Sequence, residues 1–243
     1  MGAGVEVAKE AAAAVLLDSR LATLIAGIRE GRGAYLNIQK ALDYLLTCSV
    51  ATMLAVLLTT AAGFPLPLAP LQILYLNLLT HSFPALGLAL EPAGADRLAH
   101  GPLPRHAPIL TAARLGSIVW HALMIAVVTL AVGAWGLAHQ SEAHGRTLVF
   151  ATLASALMLH AFSDRSPRPF GGWRLAGWPF YALLGTAVAL QLAAIYTPGL
   201  AAALSLTPIW ADDWLGVAAA AAIATAAVEV SKRVLPPDWP DRS

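Results

Sequence analysis

Charge is what this 243-residue sequence has least of: Asp, Glu, Lys and Arg make up 12% of it. A soluble domain carries about 25%. Cysteine is nearly absent too. The one thiol, Cys48, lies in an apolar run, which excludes an internal disulfide and any cysteine metal motif. Its natural role is that of a small buried apolar residue. The balance of +1 comes with no basic patch interleaved with aromatics, so no nucleic acid partner is expected. The N-terminus lacks the apolar core of a signal peptide, because Glu6, Lys9 and Glu10 fall where that core belongs. No internal repeat is visible, which argues against a secondary transporter built from inverted repeats.

Apolar residues are plentiful, at 58% of the chain, and they come in long blocks. A membrane-spanning helix needs about 20 mostly apolar residues. Six blocks meet that need: Ala41–Ala62, Leu68–Leu90, Ala112–Ala138, Thr147–Phe162, Pro179–Tyr196 and Trp214–Val234. The fourth is the shortest. Stretches rich in Pro and Gly separate several of them, at Gly63–Pro70, Pro92–Pro108, Ser163–Pro179 and Thr197–Trp210. The reading is therefore an all-α membrane protein of six transmembrane helices.

The basic residues orient it. With six spans both termini lie on one side, and all of the 15 Lys and Arg residues except Arg146 fall on that side. Positive residues stay on the cytoplasmic side, so both ends are expected in the cytoplasm of a multi-pass protein of the cell (plasma or inner) membrane. Leu21, Leu24, Ile25 and Ile28 recur at helical spacing ahead of the first span, and Tyr35 and Leu42 continue the stripe. Asp18 or Ser19 can cap this helix. No breaker divides it from Ala41–Ala62, so one long helix is expected to leave the membrane and continue as a cytoplasmic stalk. A surface-lying amphipathic helix is the alternative, and the alternating signs of its charges count against it.

Several short segments, in order, resemble one family. Val7-Ala-Lys-Glu-Ala-Ala12 with Val15-Leu-Leu-Asp18 after it resembles the end of the phosphorylation domain of calcium-type P-type cation-transporting ATPases. Ile28-Arg-Glu-Gly-Arg32, with Tyr35, Asn37 and Ile38, is similar to the stalk next to that domain. Pro65-Leu-Pro67 with Pro70-Leu-Gln72 resembles the turn into the family's sixth membrane helix. Asn77-Leu-Leu-Thr80 and Pro84-Ala85 are similar to that helix's core, and Leu90-Glu-Pro92 to its exit. Gln191-Leu, Ile195-Tyr196, Pro208 and Trp214 resemble the last two helices.

The resemblance implies a division into residues 1–20 (the incomplete edge of a phosphorylation domain), 21–40 (the stalk), 41–235 (six transmembrane helices) and 236–243 (a cytoplasmic tail). It implies a short strand at Val15–Leu17. Met1–Leu17 is then expected to order fully only beside the rest of that domain. Nothing here matches the family's Asp-Lys-Thr-Gly phosphorylation motif, its Thr-Gly-Glu loop or its nucleotide domain. No catalytic residue and no cofactor are assigned to this chain, and Mg-ATP enters only through the missing domains. A separately encoded N-terminal pump half is the expected partner, besides membrane lipid and a cation.

The family holds cations between membrane helices. By resemblance Ser49 and Thr52 stand where it has asparagine and glutamate, and Asn77, Thr80 and His81 where it has asparagine, threonine and aspartate. Both carboxylates are thus replaced. No Asp or Glu lies mid-span; Asp43 and Glu229 sit near helix ends, where snorkelling is cheap. Spacing keeps a site open. Ser49 and Thr52 share a helix face, as do Asn77 and His81, and Pro84 frees the Thr80 carbonyl. These five are the candidate ion pathway; His121 and His160 are weaker candidates. Interhelical hydrogen bonding explains such residues as well. A site of these groups suits a softer metal or a proton better than Ca²⁺. The alternative to an ion-pathway role is a non-catalytic scaffold or regulatory subunit, or a pump relic. An independent channel has neither an acidic ring nor a charged pore residue to support it.

Overall fold

The computed structural model describes residues 5–12, 15–16, 18, 20–65, 68–92, 109–174 and 176–234. Its regular structure is all helical. A short α1 (Glu6–Glu10) precedes α2 (Leu21–Ala61), a single helix of 41 residues. At 1.5 Å per residue α2 is about 60 Å long, twice the roughly 30 Å of a hydrocarbon core. Its first turns are exposed and its buried face begins at Gly33. The absence of a breaker thus reads correctly as continuity. Asp18 accepts hydrogen bonds from the Arg20 amide (3.2 Å) and the Thr23 hydroxyl (2.5 Å) at the helix start. The Thr23 bond above all holds its carboxyl below the usual value.

Four more helices are long and apolar enough to cross a membrane: α5 (Ala112–His139), α6 (Glu142–Ser163), α7 (Trp178–Tyr196) and α9 (Ala211–Ser231). The expected second span is not one helix. It runs as α3 (Pro70–Tyr75), a π-helical turn (Leu76–Thr80) and α4 (Ser82–Ala89). The six-span reading therefore becomes five uninterrupted helices and one broken segment. Pro84 supplies the reason: it has no N–H for the Thr80 carbonyl, and its ring crowds the preceding turn. The expected strand at Val15–Leu17 is not formed at Val15 or Leu16, and Leu17 lies outside the described residues. Most of the Pro92–Pro108 connection and residues 236–243 also lie outside them.

Helix α6 is the centre of the bundle. Of its apolar stretch 78% is buried, against at most 39% in the other four long helices. It packs chiefly on α5 and α9, and more lightly on α7, α2 and α4. This explains its weak hydropathy signal, since a helix sheathed in protein need not satisfy lipid all round. The α5–α6 approach is made by small residues. A Cβ on Gly136 would stand 2.9 Å from the Gly145 Cα, and one on Gly133 would stand 2.7 Å from Val149 Cγ2. Small residues let membrane helices gain backbone-to-backbone dispersion where the hydrophobic effect offers little. At the end opposite the stalk, short α8 (Pro198–Ala203) folds under the bundle. Ser205 closes it in the left-handed region (φ 53°), and the Leu206 amide reaches the Ala201 carbonyl at 2.8 Å.

Candidate functional site

The break in the second segment carries three of the five candidate residues. Its π turn is closed by the His81 amide donating to the Leu76 carbonyl at 2.8 Å, five residues back. The Ser82 hydroxyl donates to the Asn77 carbonyl at 3.2 Å. Turns of this kind recur at functional sites because they free backbone and redirect side chains. Thr80 is 0% exposed and His81 1%. Among the described residues, Thr80 Oγ1 and both His81 ring nitrogens have no hydrogen-bond partner. Buried polar atoms are usually paired with protein or water, and here three lie in adjacent side chains.

Asn77, Thr52 and Ser49 behave differently. Asn77 is on an exposed face of the same turn. Thr52 is buried on α2, and its hydroxyl donates back to the Cys48 carbonyl at 2.8 Å. Ser49 is exposed and donates to the Leu45 carbonyl at 2.9 Å. The two hydroxyl protons are committed to their own helix, while the oxygen lone pairs stay available. Among the described residues no hydrogen bond joins any two of the five side chains. The π turn packs against α7, and α4 packs against both α2 and α7. Thr80 and His81 are thus adjacent and enclosed, whereas Ser49 and Asn77 lie on open surface.

Asp43 and Glu229 do not snorkel. Asp43 meets Arg114 of α5 at 2.6 Å, and Glu229, 0% exposed, meets Lys232 at 3.0 Å and accepts from the Phe170 amide. Glu91, just past α4, binds Lys40 of α2 at 2.9 Å and also Arg165. Lys40, Arg114, Arg165 and Lys232 are therefore all paired with acids of the bundle. A helix end that packs against neighbours has no water to snorkel toward, so its charges must pair.

One grouping escapes a reading from spacing alone. His121 of α5 and His160 of α6 meet there with Asp164, and their ligand atoms all lie within 4.8 Å of one another. The two histidines are separate weak candidates in the sequence. Asp164 sits four residues after His160 on the same helix face, and that interval is the one signal available.

The family model described as the C-terminus of cation transporting ATPases matches residues 65–234. The chain belongs to this family. A calcium-transporting ATPase of Bacillus subtilis is 34% identical over 232 residues, covering 91% of this chain and 25% of the relative. A calcium-transporting ATPase of Yarrowia lipolytica is 30% identical, covering 88% and 23%. A P-type sodium-transporting ATPase of Toxoplasma gondii is 42% identical over 109 residues, covering 45% and 8%. The chain spans about a quarter of the length of the calcium-transporting relatives. Within the cation-transporting ATPases it corresponds to the C-terminal membrane portion, outside the domains that hydrolyse ATP.

Proposed function

We propose that this chain supplies the stalk and the ion-pathway helices of a P-type cation pump. The observation that carries this reading is the π turn at Leu76–Thr80, with Thr80 and His81 buried and unpartnered beside it. A straight helix exposes no backbone oxygen at membrane depth; a broken one does so where it lines a cavity or meets a partner. The relatives are named for calcium and for sodium, so the shared segment does not by itself select the ion. Here the imidazole of His81 takes a place that is aspartate in the family, which favours a softer cation or a proton.

In this reading Ser49 and Asn77 present their oxygens to helices outside these 243 residues, and Thr52, Thr80 and His81 line the inner wall. Energy arrives from Mg-ATP bound by the actuator, nucleotide and phosphorylation domains, carried on a separately encoded half. Isolation of the tagged chain from its native membrane should bring down a polypeptide carrying Asp-Lys-Thr-Gly. A scaffold or relic would bring down none.

Transport in vesicles containing the complete pump tests the pathway. His81→Ala should lower cation uptake about tenfold or more, or displace its pH optimum. His139→Ala, at an exposed helix end stacked on Trp135, should leave uptake unchanged. Equal, negligible effects would assign His81 to packing. The chain alone should form no hydroxylamine-sensitive phosphoenzyme from γ-labelled ATP, and labelling above a mock preparation would contradict the reading.

Both termini are assigned to the cytoplasm of the cell membrane. Reporter fusions after Gly101, Gly172 and Ser243 should report cytoplasm, and fusions near Pro67, Ser141 and Thr207 the opposite side. A cytoplasmic signal at Ser141 would break the six-span topology.

A further inference from the structure

The cluster at the charged end of the bundle belongs to no part of the ion pathway argued above. We propose that His121, His160 and Asp164 form a binding site for one transition-metal dication of Zn²⁺ type, which cross-links α5 to α6.

Three observations carry this. The first is convergence: one nitrogen from each histidine and one Asp164 oxygen lie within 4.8 Å of one another. His160 Nε2 and Asp164 Oδ2 are already 3.2 Å apart. Ligands about 2.0–2.1 Å from a tetrahedral ion stand roughly 3.3 Å from each other. Rotation of the His121 ring, now edge-on to His160 at 5.5 Å, closes the remaining gap.

The second is that these atoms are unspent. His121 is 5% exposed and His160 1%. Among the described residues His121 Nε2, both His160 nitrogens and Asp164 Oδ2 lack a hydrogen-bond partner. The 3.2 Å contact of His160 with Asp164 is therefore close without being aligned. An imidazolium–carboxylate pair would account for one nitrogen and leave His121 Nε2 unexplained. A dication accepts all three lone pairs at once.

The third is room and charge. A cavity of about 20 Å³ adjoins His121 and Asp164, lined also by Asp43, Thr47, Ser117 and Lys232. That volume holds one water, which supplies the fourth ligand. Of the other acids nearby, Glu229 pairs with Lys232, and Asp43 gives Oδ2 to Arg114 while its Oδ1 stays open toward the same cavity. Two imidazoles with one carboxylate suit zinc, cobalt or nickel, and they are far from the oxygen shell that calcium takes.

The test uses the full 243-residue chain in detergent, stripped with chelator. Isothermal titration with Zn²⁺ should give one ion per chain. Bound Co²⁺ should show the strong visible bands of a four-coordinate site. X-ray absorption of the zinc-loaded wild type should show a mixed nitrogen–oxygen shell with bonds near about 2.0–2.1 Å. His121→Gln and Asp164→Asn should each weaken Zn²⁺ affinity about 100-fold, and zinc should raise the melting temperature of the wild type but of neither variant. His139→Gln should bind as the wild type does. Binding that survives the double variant His121→Gln/His160→Gln would be adventitious and would overturn the proposal. So would an all-oxygen shell, or no stoichiometric binding, in the wild type, whatever the variants' stability.

Discussion

Glu91→Ala should be among the most destabilising single substitutions in this chain, lowering its thermal midpoint in detergent by roughly 10 °C. One carboxylate there serves two cations. Oε2 is 2.9 Å from Lys40 Nζ, and Oε1 takes the Arg165 guanidinium. The side chains of Lys40, Glu91 and Arg165 are 5%, 10% and 10% exposed, so solvent screens them little. Removal of the shared acid takes one carboxylate from two buried cations at once. Breaking one buried pair by deleting a partner costs about 3–5 kcal/mol. The Glu91 backbone also accepts from the Asn37 side chain at 2.5 Å, so the residue anchors the exit of α4 to α2. Glu142→Ala is the matched control. Its pair with Arg146 is comparable in length, at 2.9 Å, but its side chain is 58% exposed; such pairs are worth at most about 1 kcal/mol. Equal melting shifts for the two variants would show that the Glu91 network is as dispensable as a surface pair.

That network shows where sequence reasoning stops. The positions of the apolar blocks and the continuity of α2 come from hydropathy and the absence of breakers, and five of the six blocks fall on long helices while the second is broken. Those signals are local and additive along the chain. Pairing across the bundle is neither. Lys40 and Glu91 are 51 residues apart, and Arg114 and Asp43 are 71. No interval in the sequence links them; only the lateral packing of α2 against α4 and α5 does. The same limit explains why Asp43 and Glu229 read as snorkelling residues. Proximity to a helix end predicts water, unless a neighbouring helix covers that end.

The candidate pathway is half legible in the sequence, for a similar reason. Pro84 signals a disturbed helix one turn before it, and the π turn lies there. What Pro84 does not signal is which side chains the disturbance encloses. The break buries Thr80 and His81 and leaves Asn77 exposed, although Asn77 and His81 would share a face of a regular helix. One residue inserted into a turn rotates the helix beyond it by about 100° relative to the helix before it, and that rotation separates the pair. The His121–His160–Asp164 group depends on the lateral packing of α5 against α6, which hydropathy does not report.

Gly172→Ala should cost the chain about 2–4 kcal/mol, more than the overpacking of an ordinary core position. A Cβ there would stand 1.7 Å from the Phe162 carbonyl oxygen and 2.9 Å from its carbon. Both obstacles are backbone, so no rotamer change relieves them, and the loop must move by more than an ångström. The loop is held on three sides. Arg165 donates to the Gly172 carbonyl, and at 2.6 Å to that of Arg174. Trp173 stacks on Phe162 at 4.8 Å with planes 12° apart, and Phe162 in turn meets the Phe180 ring edge-on at 5.1 Å. Displacement of Gly172 therefore unstacks Trp173 and takes from Arg165 the acceptor that aims its guanidinium at Glu91. The expected result is a lower thermal midpoint together with a red-shifted tryptophan emission, as Trp173 gains water. Gly185→Ala separates this from a general intolerance of alanine. Nothing lies within 4 Å of a Cβ at Gly185, inside α7, and alanine there should add up to about 1 kcal/mol of helix propensity. A Gly172→Ala chain with the melting temperature and emission of the wild type would mean that the loop is not pinned to the end of α6, and the route from Phe162 through Arg165 to Glu91 would fail with it.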